Sequence, residues 1–390
     1  MGERVLLVNE VFPPRAGGSG RWFYELYRRL PAEAVAFAVG EAPGHETVDA
    51  SLATPPFRLP FRFVDRGLRR DLFGYLRTVK RLQPIIRSQQ VTCIHAGRCL
   101  PEGLIAFLLG WWNRLPFLCY VHGEDLSVVS TSRELTLMVR PILKRAEYLI
   151  ANSRNTRDMI VDKWSVNANK VRVLYPGVDT KAFVPASRDV QVRQSLGWGS
   201  GPVLLTVGRL QKRKGQDQLI RAVARLRTQF PDLRCAIVGD GEEREPLKAI
   251  ARELHLEAQV LFMGEIDDAT LQRCYQQCDL FVLANRTIGA DFEGFGMVLL
   301  EAQACGKPVV AGESGGTAET MRIPETGLVL PCEEPDLLAE KLAELLKDPD
   351  RLAGMGAAGR QWTVDHFDWD VLSQQARQLF FEKTERGGKE

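Results

Sequence analysis

Arg209 and Lys214 stand five residues apart in Thr206-Val207-Gly208-Arg209-Leu210-Gln211-Lys212-Arg213-Lys214-Gly215, where an apolar run ends at Gly208 and a helix is expected to open. A guanidinium fork, an ammonium charge and the free N–H groups of a helix start together suit a diphosphate. A solvated basic turn reads the same way, because Lys212 and Arg213 must also point somewhere. Further along, Asp291-Phe292-Glu293-Gly294-Phe295-Gly296-Met297-Val298-Leu299-Leu300-Glu301 holds Glu293 and Glu301 with seven residues between them. Gly294 and Gly296, where a strand is expected to give way to a helix, let backbone N–H groups come close to a ligand. Glu301 falls about a turn and a half into that helix, where a carboxylate can accept hydrogen bonds from a ribose diol. Glu293, ahead of the helix, would sit nearer a reacting sugar. Ordinary acidic residues in a helix's first turn are the plain alternative, although position 301 lies beyond that turn and inside the apolar run Met297–Ala304.

Two weaker signals come earlier. Phe12-Pro13-Pro14-Arg15-Ala16-Gly17-Gly18-Ser19-Gly20 is a glycine-rich turn able to take a phosphate or sugar against its backbone. The Arg21-Trp22-Phe23 that follows fits neither the dinucleotide fingerprint nor the P-loop. His122, in His122-Gly123-Glu124-Asp125, ends the strand-like run Phe117–Val121, where it either lines a cleft or is a buried, satisfied ring. Asp348-Pro349-Asp350 and Asp368-Trp369-Asp370 read as helix starts rather than metal ligands. Cys274 and Cys278 lack the second pair or nearby His that a zinc set requires, so the eight cysteines are expected to be free thiols, most of them buried.

The elements that must position these residues alternate along all 390 residues, a length that suits two domains. Strands are expected at Val5–Val8, Val35–Val39, Thr92–His95, Phe117–Val121, Tyr148–Ala151 and Val171–Leu174, with helices near Gly20–Arg29, Glu102–Trp112, Glu134–Arg145 and Thr156–Trp164. A second set of strands is expected at Val203–Val207, Arg234–Val238, Val260–Phe262, Leu280–Leu283, Pro308–Ala311 and Gly327–Leu330. Buried apolar strands alternating with helices imply an α/β fold: two doubly wound Rossmann-like domains on parallel sheets, facing a central cleft at the carboxyl ends of their strands. The expected divisions are residues 1–180 for the first domain, a polar linker at 181–200 after Tyr175-Pro176-Gly177-Val178-Asp179, and 201–370 for the second. Residues 371–390 would form a C-terminal helix able to pack back on the first domain.

Charge is divided unevenly. Residues 1–180 carry 25 Lys and Arg against 17 Asp and Glu, whereas the remainder carries 26 against 32. Residues 57–90 alone hold Arg58, Arg62, Arg66, Arg69, Arg70, Arg77, Lys80, Arg81 and Arg87 against Asp65 and Asp71, interleaved with Phe57, Phe61, Phe63, Leu68, Leu72, Phe73 and Tyr75. Such a segment can dock on an anionic membrane face or can be a solvated helix covering the domain's own core. A basic excess confined to one half, with an overall pI near 8.1, argues against nucleic acid. The opening residues run straight into an apolar strand without the regions of a signal peptide, and the longest apolar run, Gly103 to Trp112, is about half a membrane span. The expectation is a cytoplasmic protein, peripheral on the inner membrane face if the basic segment docks there.

Taken in order, the glycine-rich first turn, His122-Gly123, Tyr175-Pro176-Gly177-Val178-Asp179, Gly208-Arg209-x4-Lys214-Gly215, Val238-Gly239-Asp240-Gly241 and Glu293-x7-Glu301 resemble the retaining family 4 glycosyltransferases from about residue 5 to about residue 370. The resemblance implies the two-domain GT-B fold, a nucleotide-sugar donor bound by residues 201–370, a glycan or lipid-linked acceptor bound by residues 1–180, and neither a cofactor nor a metal. It assigns Arg209 and Lys214 to the donor diphosphate, Glu301 to the ribose hydroxyls, and Glu293 to the donor sugar with backbone groups of Gly294, Phe295 and Gly296 beside Met297 and Val298. His122 would touch the sugar, Gly17 and Gly18 would approach the phosphates, Gly241 and the Gly264-Glu265-Ile266 turn would lie around the base and nucleoside, and Gly208 would also bind the donor. Retention would follow from same-face attack, with the leaving phosphate taking the acceptor's proton. The stretch Asp291–Glu301 with Ala311–Thr320 looks like mannosyltransferases that build on inositol lipids. This favours GDP-mannose, with UDP-glucose or UDP-N-acetylglucosamine as alternatives. A nucleotide-sugar epimerase or hydrolase of the same fold needs a further carboxylate or histidine, for which no candidate stands out. A non-catalytic nucleotide-sugar-binding protein is opposed by the presence of all four of Arg209, Lys214, Glu293 and Glu301.

Overall fold

The structure, a computed structural model, describes residues 3–15, 17–61, 63 and 68–381, without the side chains of residues 68–70. Thirteen strands form among these residues. β1 (Val5–Asn9), β2 (Val35–Gly40), β3 (Phe57–Leu59), β4 (Cys93–Ala96), β5 (Phe117–Val121), β6 (Leu149–Ala151) and β7 (Val171–Val173) make one sheet in the order β3-β2-β1-β4-β5-β6-β7. β8 (Val203–Val207), β9 (Arg234–Val238), β10 (Val260–Gly264), β11 (Leu280–Leu283), β12 (Val309–Gly312) and β13 (Gly327–Leu330) make another in the order β10-β9-β8-β11-β12-β13. Every pairing is parallel. The central strands are buried along their whole length, as a parallel sheet covered on both faces requires. Helix Gln216–Leu226 shows how the cover forms: Leu219, Ile220, Val223 and Leu226 share one stripe and are buried in the core of their unit. Each contributes about 1.5–3 kcal/mol by leaving water.

The edge strand β3 has no counterpart in the sequence expectations. It follows Pro55-Pro56, which argues against a strand, but at a sheet edge the missing N–H groups cost little.

The chain divides into two compact units. One runs through Pro176 and resumes at Trp369; the other is Gly177–Asp368. The stretch read as a linker, 181–200, is therefore part of the second unit. Asp189 accepts the N–H groups of Gln191 and Val192 and starts helix Val190–Ser195. Arg193 is buried and donates to the carbonyls of Gln277 (2.6 Å) and Gly199 (3.0 Å), while Trp198 is fully buried. Proline and glycine punctuation concealed a segment whose order comes from contacts distant in sequence. Helix Trp369–Phe381 belongs to the first unit: Arg29 donates to Asp370 (2.9 Å), and Phe380 stacks on Tyr27 and meets the ring of His95.

Candidate functional site

In each sheet the strand order reverses once, between β1 and β4 and between β8 and β11. Loops leaving the carboxyl ends of two such neighbours diverge and leave a crevice, the place where open α/β sheets bind ligands. In the second unit these loops are residues 208–215 and 284–296, so the topology brings together the two segments whose chemistry stood out in the sequence.

Contact between them is direct. Lys214 Nζ donates to Glu293 Oε2 at 2.6 Å, and Arg213 Nη1 donates to the same oxygen at 2.8 Å. Arg213 Nε lies 3.0 Å from Asp291 Oδ1. Arg213 is thus buried, only 9% exposed, although its sequence position looked as solvent-facing as that of Lys212. Burial alone would raise the Glu293 carboxyl, but Lys214 and Arg213 outweigh it and hold the group below its ordinary value. Arg209, by contrast, is exposed, and its guanidinium has no partner among the described residues. Lys214 and Arg213 thus face Glu293 and Asp291, while Arg209 on the same loop stays exposed.

The loop carrying Glu293 is tied down along its length. Arg286 donates its N–H to the Arg213 carbonyl (2.8 Å) and pairs with both oxygens of Asp217 (2.8 and 2.9 Å). The Glu293 N–H donates to Ser314 Oγ (3.1 Å), and its carbonyl accepts from the Gly316 N–H (3.1 Å). Gly315 has φ +54°, and a Cβ there would lie 2.0 Å from the Glu293 carbonyl oxygen, so no other residue fits. The expected direct passage from strand to helix is instead a loop, residues 284–296, because Ile288 and Asp291 pair into a small turn of their own. Gly296, at φ +98°, starts helix Met297–Ala304 without a side-chain cap, which leaves the first N–H groups of that helix to a ligand. Gly294, Met297 and Val298 are half-buried, and the Phe295 ring is buried 5.9 Å from that of Phe367, so Phe295 offers only its backbone. Glu301 is buried in the same helix and accepts from Tyr275 Oη at 2.7 Å.

The carboxyl ends of β8, β9 and β10 lie side by side. The Gly208 N–H donates to the Val238 carbonyl, the Gly239 N–H to that of Gly264, and the Leu210 N–H to that of Asp240. A Cβ on Gly241 would lie 2.4 Å from the Leu210 carbonyl oxygen. Ile266 follows the end of β10, half-buried.

In the first unit Gly17 precedes helix Gly18–Tyr27 in the loop after β1. His122, at the end of β5, is half-buried; its Nε2–H donates to the Gly97 carbonyl at 2.7 Å, and Trp22 and Phe23 meet its ring edge to face. With Nε2 as donor, Nδ1 is the acceptor of the neutral ring. Beside it Arg98 binds Glu10 (2.7 Å) and the fully buried Glu102 (2.9 Å), an ion-pair cluster that no motif announced. Tyr275 and Arg213 likewise carried no sequence signal, whereas Ser314 and Gly315 lay in the stretch already compared with mannosyltransferases. Among the described residues no group of three or more His, Cys, Asp and Glu could hold a metal, and all eight cysteines are free, seven of them buried.

Residues 189–362 match the family described as "Glycosyl transferases group 1", and residues 16–182 match "Glycosyltransferase Family 4". The chain is 32% identical over 382 residues to the "GDP-mannose-dependent alpha-(1-6)-phosphatidylinositol monomannoside mannosyltransferase" of Mycolicibacterium smegmatis, covering 96% of this chain and 97% of that one. The chain is a family 4 glycosyltransferase. A "GDP-mannose-dependent monoacylated alpha-(1-6)-phosphatidylinositol monomannoside mannosyltransferase" of Corynebacterium glutamicum is 31% identical to the transferase over 380 residues, 95% of this chain and 96% of that one. Among solved structures, Anabaena HepE in complex with UDP superposes with a TM-score of 0.81 at 22% identity, covering 96% of the transferase and 99% of HepE. Sucrose-phosphate synthase of Thermosynechococcus elongatus does so with 0.79 at 24% identity, covering 97% and 98%. These likenesses establish the GT-B fold for the transferase.

The basic segment 57–90 resolves into distinct surroundings. Arg62, Asp65 and Arg66 lie outside the described residues, as do the side chains of Leu68, Arg69 and Arg70. Arg58 pairs with Asp49 (2.6 Å) and donates to the carbonyls of Gly40 and Pro13, so it holds the fold together. Tyr75 is fully buried against the half-buried Phe63. Helix Leu68–Ser88 does expose Phe73 (78%), Leu72 and Leu76 next to Arg77, Lys80, Arg81 and Arg87. It packs on helix Leu104–Asn113, whose Trp111 and Trp112 are each 67% exposed. No helix among the described residues is long and apolar enough to cross a membrane.

Proposed function

We propose that the transferase moves mannose from GDP-mannose to an inositol-lipid or related glycan acceptor, with retention at the anomeric carbon and without a metal. The observation that carries this reading is the ion pair of Lys214 with Glu293 beside an uncapped helix start across the β8/β11 reversal, with the exposed Arg209 on the same loop as Lys214. Two cations and helix N–H groups suffice to take up the charge of a departing diphosphate. In the proposed step the bond from C1 to the diphosphate oxygen breaks and a bond from C1 to the acceptor oxygen forms on the same face. The acceptor's proton passes to the leaving phosphate oxygen, so no side chain serves as general base. Glu301 would bind the ribose, with Tyr275 fixing one of its oxygens. Glu293 and His122 would bind the sugar, Gly17 and Gly18 the phosphates, and Gly208, Gly241, Gly264 and Ile266 the nucleoside. The mannose assignment is supported by the names of the relatives that match across nearly the whole chain.

The exposed aromatics of helices Leu68–Ser88 and Leu104–Asn113, rimmed by basic side chains, support docking on an anionic membrane face, where a lipid acceptor would be met at the cytoplasmic side.

The first test is a thermal-shift screen of GDP, UDP, ADP and their sugar conjugates in the presence of a chelator. At about 100 times its Kd the cognate nucleotide stabilises the fold by roughly 2.7 kcal/mol. A preference for GDP and GDP-mannose is expected. A preference for UDP would overturn the donor and favour a glucosyl or N-acetylglucosaminyl transferase, and a shift that requires a metal would overturn metal independence.

A further inference from the structure

Arg213 is the one buried cation at the site that the proposed reaction does not use. Its surroundings are specific: Nη1 donates to Glu293 Oε2 at 2.8 Å and Nε lies 3.0 Å from Asp291 Oδ1 as an ion pair without hydrogen-bond alignment, so one guanidinium bears on both carboxylates of the Asp291-Phe292-Glu293 segment. Its carbonyl also takes the Arg286 N–H, at the start of the same loop. Oε2 of Glu293 is occupied twice, by Arg213 and Lys214, whereas no described residue bonds Oε1.

We propose that Arg213 is a positioning residue that fixes the rotamer and the charge of Glu293, so that Oε1 is presented to the donor sugar while the ammonium of Lys214 keeps two hydrogens for the diphosphate. This rests on the donor-sugar role given to Glu293 above. A planar fork suits the task, because a single rigid group can hold two carboxylates at a fixed separation. A lysine at 213 would be a point charge able to hold one of them. The charged and polar groups that face Glu293 are Arg213 and Lys214 from the loop after β8, Asp291 through Arg213, and the Ser314 hydroxyl with the Gly316 amide from the loop after β12. Only the two cations stabilise its ionised form by charge. Removal of one raises the carboxyl toward the value that burial alone would impose.

The experiment compares wild type, Arg213→Met and Arg213→Lys by Kd for GDP, by kcat and KM for the nucleotide sugar, and by the pH profile of kcat. Arg213→Met is expected to keep the GDP Kd and to lose about 10²-fold in kcat, the scale of a misplaced reacting group. Its acid limb should move to higher pH. Arg213→Lys, which keeps the charge, should keep the acid limb and still lose about tenfold in kcat, which makes the proposal testable even if the methionine variant does not fold. The proposal is overturned by variants with wild-type kcat and pH profile. It is also overturned if GDP affinity and kcat fall together with an unmoved acid limb, the mark of a merely structural residue. A wild-type enzyme that turns over a UDP-sugar instead of GDP-mannose would refute the donor reading alone, and the same comparison with that donor would still decide the role of Arg213.

Discussion

Arg209 and Lys214 bring the same charge into different surroundings, and that difference separates what each substitution should do. Arg209 is exposed and unengaged, so Arg209→Ala should change stability by no more than about 0.5 kcal/mol. Lys214 neutralises the buried Glu293, so Lys214→Ala leaves that carboxylate to Arg213 alone and should cost about 1–3 kcal/mol. Both should lower turnover by about 10²- to 10³-fold, the scale for removing one fixed donor from a developing negative charge. Denaturant titration and steady-state kinetics on the two variants check both halves. An Arg209→Ala protein with near-normal turnover would remove that residue from the site.

At the scale of elements, the first unit is stitched together by a residue that does no chemistry. His95 on β4 is buried, is hydrogen-bonded through Nδ1 to Tyr27 Oη at 2.6 Å, and meets Phe380 of helix Trp369–Phe381 at 4.6 Å between ring centres. Burial pushes its pKa down from 6.5 to about 3, so the folded unit holds it neutral. The unfolded chain therefore binds one more proton than the folded one between those values. The contribution is complete above about 6.5 and is lost as pH falls toward 3, by up to about 1.4 kcal/mol per pH unit. Unfolding measured from pH 7 to pH 4 should show a steeper loss for wild type than for His95→Gln, even though the variant starts less stable. Equal slopes would show that His95 is not the titrating group.

For the whole molecule, the basic excess of the first 180 residues and the acidic excess of the remainder become a statement about surfaces once exposure is known. Phe73, Trp111 and Trp112 stand out on two packed helices of the first unit, with Arg77, Lys80 and Arg81 beside them. On the proposed docking face, apolar insertion and attraction to anionic headgroups would act together, each basic residue near the surface adding about 1 kcal/mol. Binding to vesicles containing an anionic lipid should fall steeply with salt. It should also drop by at least about tenfold in a Phe73→Ser, Trp111→Ser, Trp112→Ser variant that still turns over a soluble acceptor. Binding indifferent to lipid charge would refute the docking surface.

The sequence by itself determined the parallel α/β architecture, because apolar strand runs bounded by helical periodicity can satisfy their burial in few other ways, and eleven of the twelve expected strands appear within a residue of their expected ends. It also singled out the segments proposed to carry the chemistry, since the glycines and the spacing of Arg209, Lys214, Glu293 and Glu301 are local properties of the chain. It did not reveal β3, whose place at an edge excuses its prolines, or the packing of residues 181–200, whose order depends on Gln277 and Asp279 far along the chain. Above all, only the tertiary structure decided that Arg213 faces inward and Lys212 outward, and that Tyr275 meets Glu301. Adjacent basic residues have the same propensities and the same charge. What separates them is the carboxylate that the strand order brings within reach, and strand order is set by the packing of the whole unit.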